Sequence, residues 1–142
     1  MTLSEIPREK YEAYRKAEYR FVYCTKLITV RTGEVSAELL KIYSEISLSS
    51  GVFITAYNPF GRRRSTSEND TANKRLLLDL GKLTSYITDG EWVDSSSDWS
   101  IEKSFFAFGV SLDTANDLGR QYQQDALVWT GPDAFTHLVL LR

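Results

Sequence analysis

One cysteine, Cys24, and one histidine, His137, are the only thiol and the only imidazole in this chain of 142 residues. A single cysteine excludes an internal disulfide, and a zinc site built from cysteine and histidine lacks its ligands. A Ser-His-Asp system would have to use His137, yet no G-x-S-x-G elbow is present. Neither glycine-rich phosphate pattern, G-x-x-x-x-G-K-[ST] or G-x-G-x-x-G, occurs. No apolar run approaches the roughly 18–20 residues of a membrane span, and the Glu/Lys/Arg/Tyr-rich start has no apolar leader core. A basic excess is missing as well. The formal net charge is -2, where a dedicated nucleic-acid binder carries a clear surplus of Lys and Arg. The expectation is a soluble, cytoplasmic protein with no membrane attachment, no cofactor, and no nucleic-acid partner.

What is present fits one domain over residues 1–142. A chain of this length buries roughly 70% of the surface that its unfolded form exposes, so it folds without disulfide or metal. Charge is unevenly placed. Arg62, Arg63, Arg64, Lys74 and Arg75 dominate residues 61–75, whereas Asp89, Glu91, Asp94, Asp98 and Glu102 dominate residues 89–103. The acidic stretch matches no calcium-loop spacing.

The apolar pattern predicts alternating helices and strands. Ser4 is placed to cap a first helix running to about Glu18, with Tyr11 and Tyr14 on one face. Tyr19 to Arg31 reads as a strand ending at Thr32-Gly33, with Cys24 buried and inert inside it. Ser36 caps a second helix with Leu39, Ile42, Tyr43 and Ile46 on its buried face. Val52 to Tyr57 is a short strand covered on both sides. Ser65 to Glu68 fits a capping box, and Leu76, Leu77 and Leu80 follow on the packed face of the third helix. Thr84 to Thr88 is a strand ending at Asp89-Gly90, and residues 91–100 form an exposed loop. Ile101 to Val110 is another strand, Ser111 caps a fourth helix, and Ala126–Thr130 with Phe135–Leu141 form a C-terminal hairpin. His137 sits mid-strand, in a packing position. The fold class is α/β, with α+β as the alternative: a mixed sheet packed by about four helices.

Three clusters carry chemistry. Asn69 and Asn73, one turn apart, continue the stripe of Leu76, Leu77 and Leu80, so they face the sheet. A buried amide needs partners, and the end of the Val52–Tyr57 strand offers Asn58. Ligands of open α/β sheets sit outside the carboxyl ends of strands, and Arg62, Arg63 and Arg64 add positive charge beside a helix N-terminus. This suits an anionic or hydrogen-bonding ligand; the competing explanation is a tied-down turn with arginines in solvent. In the second cluster Glu102 and Ser104 share one strand face, either as a polar site suited to proton transfer or as a solvated edge. In the third, Gln124 and Asp125 stand where a helix hands over to a strand, as site residues or as caps for orphan carbonyls.

Four segments also resemble a known family. They are Thr55-Ala56-Tyr57-Asn58-Pro59-Phe60-Gly61, Glu68-Asn69 with Asn73, Trp99-Ser100-Ile101-Glu102-Lys103-Ser104-Phe105, and Gln123-Gln124-Asp125-Ala126-Leu127-Val128-Trp129. They are similar to the T-A-[WY]-N-P-x-G, E-N-x-x-x-N, W-x-x-E-x-S-[FY] and G-Q-N-A-I-[VF]-W segments of an uncharacterised bacterial family, domain of unknown function 3293. The likeness spans about residues 51–130. Asp125 departs from the family's asparagine, and Trp92 competes with Trp99 for the motif tryptophan. The resemblance implies a shared architecture and a shared polar site, without an activity.

The leading expectation is a binding or regulatory domain. Its pocket for an anionic or nucleotide-like ligand lies near the end of the 52–57 strand, formed by Asn58, Arg62, Asn69, Asn73 and Gln124. One alternative is a small hydrolase or transferase with Glu102 as base and Arg62 as anion clamp. Another is a protein-interaction module of the inhibitor or immunity type, presenting Trp92 and Trp99 from an acidic loop.

Overall fold

The computed structural model describes residues 6–93 and 102–142. Seven strands form one sheet: β1 Glu18–Tyr23, β2 Lys26–Val30, β3 Gly51–Ile54, β4 Ile87–Val93, β5 Glu102–Phe108, β6 Ala126–Thr130 and β7 Thr136–Leu140. Four helices accompany it: α1 Arg8–Lys16, α2 Ala37–Ile46, α3 Thr66–Gly81 and α4 Leu112–Gln121. The sheet order is β2-β1-β4-β5-β3-β6-β7, and every neighbouring pair is antiparallel. The single domain, the four helices and the C-terminal β6–β7 hairpin agree with expectation. The class is α+β, and the mixed sheet is corrected to an antiparallel one.

Topology explains that correction. The β3-α3-β4 and β5-α4-β6 crossovers do join strands of the same direction, as alternating helices and strands suggest. Each crossover skips one strand, however. β5 fills the space between β3 and β4, and β3 fills the space between β5 and β6. This is the interleaved β-α-β-β-α-β arrangement of ferredoxin-like domains. The β1–β2 hairpin extends it on the β4 side and β7 on the β6 side.

The sheet curls until its edges meet. The Gly33 N–H donates to the Thr136 carbonyl at 2.8 Å, and the Thr136 N–H donates to the Glu34 carbonyl at 3.0 Å. On the inner face Phe21, Phe53, Phe106 and Phe108 pack with Leu39, Ile42 and Tyr43 of α2, and the Phe21 and Phe106 rings stack 4.1 Å apart. On the outer face Val52, Ile54, Phe105 and Ala107 meet Leu76 and Leu80 of α3 and Ala115 and Leu118 of α4. Strand β3 is therefore buried on both faces, as its unbroken apolar run requires.

Helix starts are written locally. The Ser36, Ser65 and Ser111 side chains cap α2, α3 and α4, and Ser65 with Glu68 forms a complete capping box. Ser4, by contrast, lies outside the described residues, and α1 follows Pro7 without a side-chain cap. Leu77 is 41% exposed, so the packed face of α3 is narrower than expected.

Two strand readings are corrected. Residues 19–31 are a hairpin whose two-residue turn is Cys24-Thr25, both in the left-handed region at φ 47 and 67. That geometry favours Asn-Gly or Gly-Gly, so Cys-Thr gives no local signal for it. Cys24 is consequently exposed, not buried. Strand β4 runs through Asp89-Gly90 to Val93. Gly90 is required there by close packing: a Cβ would meet the Arg20 carbonyl and the Phe53 ring, each at 2.8 Å. The remainder of the proposed 91–100 loop, Trp99 included, lies outside the described residues. His137 is exposed in β7, its ring 4.7 Å from that of Phe135.

Candidate functional site

Antiparallel pairing brings six segments to one end of the sheet. These are α1 with the start of β1, the turn after β3, the last residues of β4, the first of β5, the segment before β6, and the residues after β7. Between α1 and these strand ends lies a cleft of about 850 Å³, with Tyr14, Tyr57, Asn58, Phe60, Trp92, Glu102, Gln124, Asp125 and Arg142 in its lining. A volume of this size matches a small-molecule site. Behind Glu102 the cleft meets a small recess of about 30 Å³ lined by Tyr19, Phe53 and Ser104 among others.

The asparagines join this cleft to the outer face of the sheet. Asn73 accepts from the Ala56 N–H at 2.8 Å and donates to the Lys103 carbonyl at 3.1 Å, so it bridges the ends of β3 and β5. Asn69 accepts from the Asn58 N–H at 2.9 Å and donates to the Asn58 side-chain oxygen at 3.0 Å. That oxygen also accepts from the Arg64 N–H at 3.0 Å. The Asn58 amide nitrogen is then aimed across the strand end at Glu102 Oε1, 3.4 Å away. Gln124 donates to the Tyr57 carbonyl at 3.0 Å and to that of Tyr122 at 3.2 Å. Asn69 and Asn73 are thus spent on building the loop, whereas Asn58, Glu102 and Gln124 reach the cleft.

Backbone geometry supports the same turn. Asn58 and Phe60 both have positive φ, at 45 and 52, and the Phe60 N–H donates to the Gln123 carbonyl at 2.6 Å. Non-glycine residues held left-handed store strain that the surroundings must sustain, and here the Asn58–Asn69 bonds and the Gln123 carbonyl do so. Arg62, Arg63 and Arg64 are exposed, and none lines the cleft.

Glu102 is the central acid. Its Oε2 accepts from the Trp92 indole N–H at 2.8 Å. Burial pushes its carboxyl above the ordinary value, opposed by the hydrogen bonds from Trp92 and Asn58 and by the nearby Lys10 charge. The Trp92 ring lies 5.5 Å from that of Tyr14. Burial, with the charges of Asp125 and Glu102, also raises the Tyr14 hydroxyl. Asp125 is buried, with side-chain exposure of 1%, and is paired with both Lys10 and Arg142. The Arg142 guanidinium also lies 4.6 Å from the Phe60 ring centre. Among the described residues no three carboxylate, imidazole or thiol groups gather as a metal site would need.

Residues 54–127 match a family described as "Protein of unknown function (DUF3293)". The chain belongs to that family. A search of curated proteins and a search of solved structures returned no match. The DUF3293 segment runs from the last residue of β3 through α3, β4, β5 and α4 into the start of β6, and supplies Asn58, Trp92, Glu102 and Asp125. Lys10, Tyr14 and Arg142 lie outside it. Sequence reasoning missed these three because nothing local marks them; Lys10 and its partner Asp125 are 115 positions apart. Trp92, expected in an exposed loop, lies at the end of β4 with its indole N–H donated to Glu102. No described helix is long and apolar enough to cross a membrane.

Proposed function

We propose that the protein is a small-molecule binding domain whose ligand occupies the cleft between α1 and the strand ends. A planar or apolar part would lie against Tyr14, Trp92 and Phe60, and a polar group would reach Glu102 and Asn58. The observation that carries this reading is Glu102: a carboxyl group held by Trp92 and Asn58 inside an aromatic cleft of ligand size. Pockets with a few convergent polar groups and a perturbed acid are the default binding sites of a fold. The anionic class drew on Arg62 to Arg64, which stand outside the cleft. Inside, Arg8, Lys10, Lys16 and Arg142 face Glu9, Glu12, Glu102 and Asp125, so the cleft has no net charge of either sign.

A thermal-shift panel of nucleotides, phosphorylated sugars, amino acids and amines tests the proposal. At least one class should stabilise the wild type by several degrees and stabilise Trp92→Leu less. A panel without a stabilising compound, or equal shifts in the two proteins, would overturn it.

The same carboxyl favours a second reading as a hydrolase or transferase with Glu102 as general acid or base. Its proposed clamp, Arg62, lines no part of the cleft, so Lys10 or Arg142 would have to supply the positive charge. Turnover of an ester or phosphoester panel, abolished in Glu102→Gln, is the result that would establish it. The interaction-module alternative loses half of its basis: Trp92 is half-buried against Tyr14 and Glu102, and Trp99 lies outside the described residues.

A further inference from the structure

The cleft's lining divides by origin. Residues 54–127 contribute Tyr57, Phe60, Trp92, Glu102 and Asp125 to it, with no lysine or arginine; every basic side chain of the lining comes from α1 or from Arg142. Aromatic faces beside carboxylates are the surroundings that recognise a cation. The chain already uses half of the cleft in that way. Asp125 takes Lys10 at 2.5 Å and Arg142, and Arg142 also covers the Phe60 ring. The Lys10 ammonium lies 5.9 Å from the Tyr14 ring centre.

Glu102 is the other half. The described hydrogen bonds to its carboxylate come from neutral donors, the Trp92 indole and the Asn58 amide, one on each oxygen. Among the described residues nothing takes the second lone pair of either oxygen. Lys10, whose charge reaches Glu102, is itself bonded to Asp125. Glu102 thus stands beside Trp92 and Tyr14 as Asp125 stands beside Phe60, but among the described residues it has no cation of its own.

Resting on the cleft being the binding site, we infer that its ligand is an organic cation. It would be a small amine or guanidine, with its charged group held between the Glu102 carboxylate and the rings of Trp92 and Tyr14. An apolar stem on such a ligand would run toward Phe60.

Calorimetric titration of the full chain with agmatine, putrescine and phenethylamine tests this, with AMP and a neutral alcohol of matched size as controls. The cations should bind, and Glu102→Gln should weaken them by roughly tenfold or more, the effect of losing a charge-assisted hydrogen bond. Trp92→Leu, which keeps the carboxylate and removes the ring, should weaken them by about three- to fivefold and serves if Glu102→Gln does not fold. Cation binding unchanged in both variants would overturn the inference. AMP binding that displaces no amine and is lost in Trp92→Leu would overturn the cationic class while leaving the cleft as the site. No binding by any probe would count against both.

Discussion

Asn58 and Asn69 hold each other through two hydrogen bonds of opposite sense: the Asn58 N–H donates to the Asn69 side-chain oxygen at 2.9 Å, and the Asn69 amide donates back to the Asn58 oxygen at 3.0 Å. The pair turns the chain out of β3 and leaves the Asn58 nitrogen free to face Glu102.

Asn69→Ala should therefore cost about 2–4 kcal/mol, because it removes two hydrogen bonds and strands the Asn58 N–H in a site where Asn69 is only 4% exposed. Urea unfolding measures it. A loss below about 0.5 kcal/mol would show that water replaces the amide at no cost, and that the pair is not what holds the turn.

Neighbouring leucines of α3 should respond very differently. Leu76 is fully buried against the outer face, whereas Leu77 is 41% exposed. Leu76→Ala is expected to lose about 2–5 kcal/mol through transfer and cavity terms; Leu77→Ala should stay within about 0.5 kcal/mol. Equal losses in the two variants would mean that α3 is rotated from the position described.

Gly61 is left-handed at φ 73, and a Cβ there would lie 2.2 Å from the Lys10 ammonium. Gly61→Ala should cost roughly 1–2 kcal/mol from backbone strain alone. It should also displace Lys10 from Asp125, which faster amide exchange in α1 would reveal. Unaltered α1 exchange would show that Lys10 relocates without loosening the helix.

The raised carboxyl of Glu102 predicts a pH signature. The folded state binds this proton more tightly than the unfolded chain does. The stabilisation is therefore complete below the ordinary value of 4.5 and is lost as pH rises through the higher folded value. Lys10, Trp92 and Asn58 oppose the shift without cancelling it. Stability of the wild type minus that of Glu102→Gln should fall as pH rises above about 4.5. A difference that is flat or rising over that window would place Glu102 in a wetter, better-compensated site.

Much of the fold was legible because its signals are local. Serine caps, the Leu39-Ile42-Tyr43 stripe and the apolar run of β3 announce themselves over a few residues. The Cys24-Thr25 turn escaped because its residues do not advertise positive φ. Asp89-Gly90 misled because a glycine admitted for close packing looks the same as one that ends a strand. Asn69 and Asn73 were correctly placed toward the sheet by helical spacing. Their partners were the ends of β3 and β5, together with each other's neighbourhood, and spacing does not specify those.

By itself the sequence determined where α2, α3 and α4 start, that the 52–57 run and the C-terminal hairpin are strands, that the asparagines needed buried partners, and to which family the chain belongs. Periodicity and capping act within one or two turns of chain, and motif likeness needs no geometry. Only the tertiary structure decided the antiparallel interleaving, the exposure of Cys24 and Leu77, and the removal of Arg62 from the site. It also decided that Lys10, Tyr14 and Arg142 close on Glu102 and Asp125. Those outcomes depend on which strand ends meet in space, and residues 115 positions apart share a cleft only once the sheet has formed.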